Sequence, residues 1–326
     1  MILPRRTTRY ILLGFLILGI GFLGMTASSS FALFVDEKIG RHLRLLLSTL
    51  SSGLPLSLTE LFLLMLPFLT LLIIFLVIKF RNSRGLLSFL LILFLLYAGI
   101  YVTAFAPGKY RPPLEEALGL SPTEPTAEEL LGCCLWLSEM AVTSPKPPPE
   151  EELIERLMSA LQRMGEHYHL PVNSAVRPKG TLTPLLARFG YFGLYAFPLG
   201  EVTAVSECPT AVRTFTLAHE MVHASGFSRE EEADVLAFLA LMDSGDPYLV
   251  YAASTGMMGR LLTALEGTSP GAWERASAKV PKEVRRELCE AGDVYDTSAE
   301  ETVSKETLPY RETVRLLCAL YRMRMP

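Results

Sequence analysis

Residues 214–240 read TFTLAHEMVHASGFSREEEADVLAFLA and place two histidines, four glutamates and one aspartate in an otherwise apolar segment. The neighbouring residues favour burial, where an unpaired imidazole or carboxylate is costly because it loses its hydration. These polar groups therefore need partners inside the fold, and a shared cation would provide one for all of them.

The segment contains the pattern HExxH, at His219, Glu220 and His223. Residues four apart lie on one face of a helix, so both imidazoles can bind a single Zn²⁺. Glu220 is rotated from His219 by about 100° and faces the open coordination position. It can take a proton there from a water molecule that the metal activates. The pattern is typical of zinc-dependent hydrolases.

A catalytic zinc needs a third protein ligand, and no histidine follows His223. Gly226 fits the longer pattern HExxHxxGxxH, but Arg229 occupies its last position. A carboxylate must serve instead, and the candidates close by are Glu230, Glu231, Glu232 and Asp234.

The chemistry of helix starts separates these carboxylates. Gly226 can end the first helix, and Ser228 with Glu231 forms an S-x-x-E pattern that predicts a capping box for the next. Glu230 and Asp234 are four apart and share a face. We predict Glu230 as the third ligand and Asp234 as the acceptor that orients a ligand histidine. The alternative for the glutamates is a solvated first helical turn.

Hydrolysis also needs a donor to the developing oxyanion, and Tyr248 and Tyr251 follow the two helices closely. The alternative for each is a packed core aromatic, and Tyr295 and Tyr310 are weaker candidates. The two histidines of HYH, residues 167–169, end an amphipathic helix, where histidine is favoured by the helix dipole. We do not expect them to bind the metal.

Three segments near the N-terminus, at about 10–34, 57–78 and 86–106, are long and apolar enough to span a bilayer as helices. Their one internal charge is Glu60, near an end, whereas core helices of soluble domains carry a polar stripe. We predict a multi-pass protein of the cell membrane, with a membrane domain over 1–106 and the lipid bilayer as partner. A transporter or channel is disfavoured because the spans provide no polar pathway.

Basic residues set the expected orientation of the spans. Those before the first span and between the second and third should be cytoplasmic; they are Arg5, Arg6, Arg9, Lys79, Arg81 and Arg84. The link 35–56 and the chain after 106 then lie outside the cytoplasm. This link contains GRHLRLLLSTLSSGL, which predicts a helix on the membrane surface whose basic side chains reach lipid headgroups. Alternatively, TASSSFA at the end of the first span is a signal-peptide cleavage site.

The chain after residue 106 has the pattern of an acidic α+β domain. We predict a proline-rich connector with a short helix over 107–149 and a domain of helices and a few short strands over 150–326. Residues 107–326 contain 21 Lys+Arg and 31 Asp+Glu, which excludes nucleic acid as a partner. The five cysteines have no CxxC spacing and imply neither a disulfide framework nor a cysteine zinc site.

HExxH followed by Glu230 and, four residues later, Asp234 resembles the gluzincin-like zinc peptidases. The chain as a whole resembles a bacterial family of three-span membrane proteins known only as a domain of unknown function. The shared features are KYRPPLEEALGL at 109–120, GLYAFPLGEV at 193–202 and HExxHxxGxxxExEA from His219. The family usually has asparagine in place of Asp234.

This resemblance implies a zincin-like domain in which residues 193–202 form the edge strand beside the zinc helix and pair with substrate backbone. Phe197, Gly200 and Glu201 would then be substrate-strand residues, and Pro198 independently suits an edge. The sequence thus predicts a membrane-anchored metallopeptidase with one Zn²⁺ that cleaves peptides or proteins. The alternative is a non-catalytic, zinc-stabilised binding or sensor protein.

Overall fold

The computed structural model describes residues 5–79, 84–141, 145–296 and 311–324. These residues form a mostly helical structure with one small sheet, as predicted. The helices are α1 (Arg5–Ala27), α2 (Ser29–Val35), α3 (Arg41–Ser52), α4 (Leu58–Lys79), α5 (Arg84–Ile100), α6 (Pro107–Tyr110), α7 (Leu114–Leu118), α8 (Ala127–Met140), α9 (Glu150–Tyr168), α10 (Leu185–Arg188), α11 (Thr210–Ala224), α12 (Glu230–Met242), α13 (Pro247–Thr268), α14 (Pro270–Lys279), α15 (Lys282–Asp296) and α16 (Arg311–Arg324). Two π-helical turns, Asp36–Gly40 and Tyr101–Phe105, precede α3 and follow α5.

Three helical segments are long and apolar enough to cross a membrane: Arg9–Ala27, Leu58–Lys79 and Leu87–Tyr110. Their mean hydropathies are 2.1, 3.1 and 2.3. The first ends at Ala27 rather than at residue 34, because Ser28 is extended (φ −150°, ψ 114°) and its hydroxyl accepts a hydrogen bond from the amide of Phe31. That bond starts α2 as a separate helix.

Helix α3 turns its polar side toward the rest of the protein. Arg44 is buried and donates to Asp36 Oδ1 at 2.6 Å, to the carbonyl of Ala104 at 2.9 Å and to that of Ser225 at 3.3 Å. The prediction that the basic side chains of this link reach lipid headgroups is therefore wrong for Arg44, because these acceptors hold it inside. The other side of α3 is apolar and exposed, with Leu45, Leu46 and Leu50.

The proline-rich stretch after the third span is packed on the domain instead of extended. The guanidinium group of Arg111, in this stretch, lies 3.9 Å from the ring centre of Phe227. Leu114 is fully buried, and its amide donates to Glu232 Oε1 at 3.0 Å. The connector predicted over 107–149 is therefore not extended over these residues, where α6 and α7 join the spans to the helices that follow.

Helices α11, α12 and α13 pack on one another at the centre of the domain, with α8, α9 and α16 around them. Helix α9 covers residues 150–168, as its apolar spacing predicts. Every residue of α12 from Glu232 to Leu241 is buried, which explains why that segment is apolar on all sides.

The sheet has the order β1 (Lys179–Gly180), β3 (Glu201–Ala204), β2 (Gly193–Ala196). Strand β1 is parallel to β3, and β2 is antiparallel to it, with Gly193 opposite Ala204. The single edge strand predicted over 193–202 is therefore wrong. Its first part is the edge strand β2, its last part is the central strand β3, and residues 197–200 form the turn between them.

This turn lies directly against α3. Gly200 has a φ of +62°, and a Cβ there would lie 2.5 Å from the backbone nitrogen of Ser48. Its carbonyl accepts hydrogen bonds from the hydroxyls of Ser48 at 2.8 Å and Ser51 at 3.2 Å. Only glycine combines this backbone conformation with so close an approach.

Glu201 joins the sheet to the start of the second span. Its buried carboxylate accepts from the Ser57 hydroxyl and the Thr59 amide, both at 2.8 Å, and pairs with Lys179 Nζ at 2.7 Å. The Thr59 amide belongs to the first turn of α4, where backbone amides have no partner within the helix, and Ser57 directly precedes that turn. Glu201 therefore caps the apolar helix α4 from strand β3.

Glu201→Gln is expected to destabilise the protein by about 3 kcal/mol, since it leaves Lys179 without its buried partner. Burial alone would raise the pKa of Glu201, but hydrogen bonds from Lys179, Thr59 and Ser57 outweigh it and hold the pKa below its ordinary value. The stabilisation is therefore present above the ordinary glutamate pKa and is lost as pH falls through the folded-state pKa. Thermal unfolding of the detergent-solubilised chain against pH tests this. Glu139→Gln, at an exposed position, is the control. Equal melting temperatures for the two variants would contradict the expected destabilisation.

Candidate functional site

Helix α11 places the two histidines of HExxH one turn apart on the side that faces α12. Their rings lie with centroids 4.6 Å apart and are nearly perpendicular, at 87°. His219 and His223 are only 9% and 7% exposed. Both imidazoles are thus buried side by side, as the spacing predicts.

A short turn brings the start of α12 back to these rings. Helix α11 ends at Ala224, and Gly226, with φ +109°, reverses the chain. The predicted capping box is absent from this described turn: Arg229 is the N-cap of α12, no side chain caps it, and the Ser228 hydroxyl donates to the carbonyl of Phe105. Glu230 becomes the first residue of α12 through this packing against the third span.

The side chain of Glu230 reaches both histidines. Its Oε2 lies 3.2 Å from His219 Nε2 and 3.5 Å from His223 Nε2. One possible ligand atom from each of the three residues lies within 4.8 Å of the others. The structure therefore brings together the three residues that the sequence singles out as metal ligands.

The Nδ1 atom of each imidazole ring forms a hydrogen bond with a partner other than Glu230. His223 Nδ1 donates to the carbonyl of Phe227 at 2.6 Å, and His219 Nδ1 bonds Asp234 Oδ1 at 2.9 Å. A carbonyl can only accept, and an ionised carboxylate likewise, so both Nδ1 atoms carry hydrogen. Both Nε2 atoms face Glu230, so the ring nitrogens that remain for a metal lie beside its carboxylate.

Asp234 is itself held by two residues that sequence reasoning missed. Arg260 donates to its two carboxylate oxygens at 2.7 and 2.8 Å, and the Thr313 hydroxyl donates at 3.0 Å. Burial would raise the pKa of Asp234, but Arg260, His219 and Thr313 outweigh it and lower the pKa. Arg260 lies in the apolar stretch MMGRLLTAL, and a lone charge there could have indicated a buried acidic partner.

The cluster strongly favours positive charge at its centre. Burial lowers the pKa of His219, but hydrogen bonds to Asp234 and Glu230 outweigh it, and the pKa rises to about 10. Contacts with His219 and His223 hold the pKa of Glu230 well below its ordinary value. A divalent cation carries the kind of charge that this arrangement stabilises.

Glu220 lies beside the cluster, under strand β2. A Cβ at Gly193 would lie 3.2 Å from Glu220 Oε1 and 2.5 Å from Thr216 Cγ2, so only glycine lets the strand pass this closely. Burial raises the pKa of Glu220, although His219 and His223 oppose the shift. A raised pKa is what a carboxylate needs to accept and return a proton near neutral pH.

The histidine cluster and Glu220 border a cavity of about 830 Å³. Residues 190–193 line one wall, and Arg260 and Thr313 line another. His219, Glu220 and Glu230 face the same space. The Glu230 side chain is 77% exposed there, so solvent reaches the cluster.

The predicted oxyanion donors lie elsewhere. The hydroxyl of Tyr248 is 3.3 Å from Thr214 Oγ1, and that of Tyr251 donates to Glu287 Oε1 at 3.2 Å. Both tyrosines are buried, and neither is among the described residues that line the cavity. The structure therefore gives no support to their predicted role. Tyr310 lies outside the described residues, as does the side chain of Tyr295.

The predicted substrate-strand residues contact the N-terminal helices and the turn that precedes α4. Phe197 packs its ring on those of Tyr97, Tyr101 and Phe105, with centroids 5.1–5.8 Å apart. Together with the contacts of Gly200 and Glu201, this corrects their assignment: all three lie outside the edge strand β2. His167 and His169 lie at the C-terminal end of α9 and are not among the described residues whose possible ligand atoms converge.

Comparison with protein families gives a match that covers most of the chain. No curated protein and no solved structure is significantly similar to this chain. Residues 37–308 match the family described as "Protein of unknown function (DUF3810)". The match covers more than half of the chain and includes α3, two of the three apolar spans and the histidine cluster. The chain therefore belongs to the DUF3810 family, which confirms the predicted kinship with a family of unknown function.

Proposed function

We propose that the protein is a membrane-anchored zinc-dependent peptidase, in which His219, His223 and Glu230 hold one Zn²⁺ and Glu220 is the general base. The observation that carries the proposal is the convergence of two imidazole Nε2 atoms on one oxygen of Glu230, at 3.2 and 3.5 Å. Two imidazole nitrogens and one carboxylate oxygen are one of the known ligand sets of a catalytic zinc, with a further position left open.

The residues fit this metal in their hydrogen bonding as well. Both Nδ1 atoms are engaged with Asp234 and the Phe227 carbonyl, which fixes the orientation of the rings. When bound, a zinc ion would act as a Lewis acid that polarises a carbonyl group and acidifies water. The zincin-like and gluzincin-like character of the domain is part of this proposal.

Glu220 performs the proton transfers. Its carboxylate takes a proton from the attacking water and returns it to the amine that leaves when the peptide bond breaks. Its raised pKa supports both steps, because a carboxylate of ordinary pKa would return the proton poorly. Its position between β2 and the cluster supports contact with a substrate lying along that strand.

Strand β2 offers a place for the substrate backbone. It pairs with β3 on one side, and no described strand pairs with its other side. An extended peptide can add to such an edge through backbone hydrogen bonds. The edge residues are Gly193–Ala196, next to Glu220, in place of the three residues expected from the sequence.

In this proposal, the domain that follows the third span lies on the outer, non-cytoplasmic side of a bacterial cell membrane. The support is the distribution of basic residues around the three apolar helices, with Arg9 at the start of the first and Lys79 at the end of the second. Peptides or proteins reached from that side are the proposed substrates.

Zinc-dependent cleavage tests the proposal. The purified full chain in detergent should cleave members of a fluorogenic peptide library, lose this activity in a zinc chelator and regain it when zinc is added back. One equivalent of zinc with no cleavage of any library member would contradict the peptidase and favour a zinc-stabilised binding or sensor protein.

Asp234→Ala is expected to weaken zinc binding by about 10–100-fold, because His219 loses the acceptor that fixes its ring. Competition with a chromogenic chelator measures this. Asp243→Ala is the control, since Asp243 pairs with Arg324 at the surface. Equal zinc affinity in the two variants would show that Asp234 does not orient the ligand.

A further inference from the structure

One wall of the cavity continues into an apolar loop beside the second span. We call residues 181–192, TLTPLLARFGYF, the apolar loop. Beyond Tyr110, the described part of the chain exposes five large hydrophobic side chains, and three of them lie in this loop: Leu182 at 76%, Phe189 at 63% and Tyr191 at 54%. Such clustering marks an interaction surface.

Hydrogen bonds fix the depth of this loop relative to the second span. The carboxylate of Glu60, two residues after the start of α4, accepts from the amides of Leu182 at 2.8 Å and Thr183 at 2.7 Å. Glu60 itself is buried by these contacts. The start of the loop therefore lies level with the first turn of the span.

The apolar loop also packs against α4 farther along the span. Leu63 of α4 packs against the cluster formed by Leu186, Ala187, Val205 and Cys208. Leu63 lies five residues into the span, or about 8 Å at 1.5 Å per residue. This depth matches the roughly 5–10 Å at which apolar groups enter the boundary between lipid headgroups and acyl chains.

Two further features suit a lipid surface. Arg188 is exposed in the middle of the loop, where a long basic side chain can reach lipid phosphates while its neighbours enter the apolar layer. Helix α3 binds the domain through Ser48 and Ser51 and leaves its leucine side exposed. Two separate elements, the apolar loop and α3, thus expose apolar surface near the start of the second span.

We infer that the apolar loop inserts into the bilayer surface and that the cavity opens there, so that the substrates are polypeptides held at the membrane. This deepens the proposed function and rests on it. Residues 190–192 both end the loop and line the cavity, which joins the lipid contact to the site. A peptide bond close to the bilayer can then reach Glu220 while its chain remains anchored.

Bromolipid quenching tests the membrane contact without requiring cleavage. Full-length Phe189→Trp is reconstituted in phosphatidylcholine vesicles with about one-quarter phosphatidylglycerol. Lipids brominated near the headgroup end of the acyl chain should quench the added tryptophan emission. Met323→Trp, exposed on α16, is the matched control and should show the quenching of the native tryptophans alone. Equal quenching of both variants would overturn the inference.

Cleavage tests the substrate class in the same vesicles. A fluorogenic peptide library carrying a palmitoyl chain should be cleaved about tenfold or more faster than the same library without it, because anchoring raises its effective concentration. Phe189→Asp should remove this advantage, and Met323→Asp should retain it. Equal rates for the two libraries would overturn the substrate class. Quenching without cleavage of either library would support the membrane contact and count against the peptidase.

Discussion

Glu220→Gln is expected to lower kcat/KM for peptide cleavage by about 10²–10⁴-fold while zinc remains at one equivalent. Glutamine has nearly the shape of glutamate but cannot accept the proton of the attacking water. Glu220 is not one of the three residues whose ligand atoms converge, so its replacement should leave the metal in place. Cleavage assays with parallel metal analysis measure the two effects separately.

Glu266→Gln is the matched control for this variant, because Glu266 is exposed on α13. It should keep both its zinc and its rate. Retained cleavage by Glu220→Gln would exclude Glu220 as the base, and loss of zinc from that variant would mean that Glu220 contributes to the metal site instead.

His223→Ala is expected to weaken zinc binding by more than the roughly 100-fold that loss of an outer partner can cause, because it removes a ligand atom outright. Cleavage should disappear with the metal. The change leaves the other members of the cluster in place, and Asp234 remains hydrogen-bonded to His219. Zinc titration against a chromogenic chelator gives the affinity.

His167→Ala provides the control, since His167 is exposed at the end of α9 and far along the chain from the cluster. It should bind zinc as the unchanged protein does. If His223→Ala also bound zinc with unchanged affinity, the metal would have to be held by other groups.

The local parts of the site could be predicted because they depend on helix periodicity and residue chemistry. His219 and His223 share a face at a spacing of four, and Glu230 follows after a turn that Gly226 makes possible. Asp234 was recognisable because a charge in an apolar helix needs a partner. The three apolar spans follow from length and hydropathy alone.

The remaining features depend on contacts between distant segments, which periodicity does not reveal. Arg44 looks like a headgroup ligand in sequence, yet Asp36 and two carbonyls bury it. Glu201 was predicted as a substrate-strand residue, but it caps the second span. The tyrosines of α13 face the core because that helix is covered on several sides.

The most direct test of the account is the metal content and metal coordination of the full-length protein purified in detergent. X-ray absorption at the zinc edge should show one equivalent of zinc, with two imidazole nitrogens at about 2.0–2.1 Å and oxygen in the remaining positions. The imidazole signal should be lost in a His219→Ala/His223→Ala variant that still folds. A protein that takes up no zinc, or one whose zinc signal is the same in the double variant, would contradict the account.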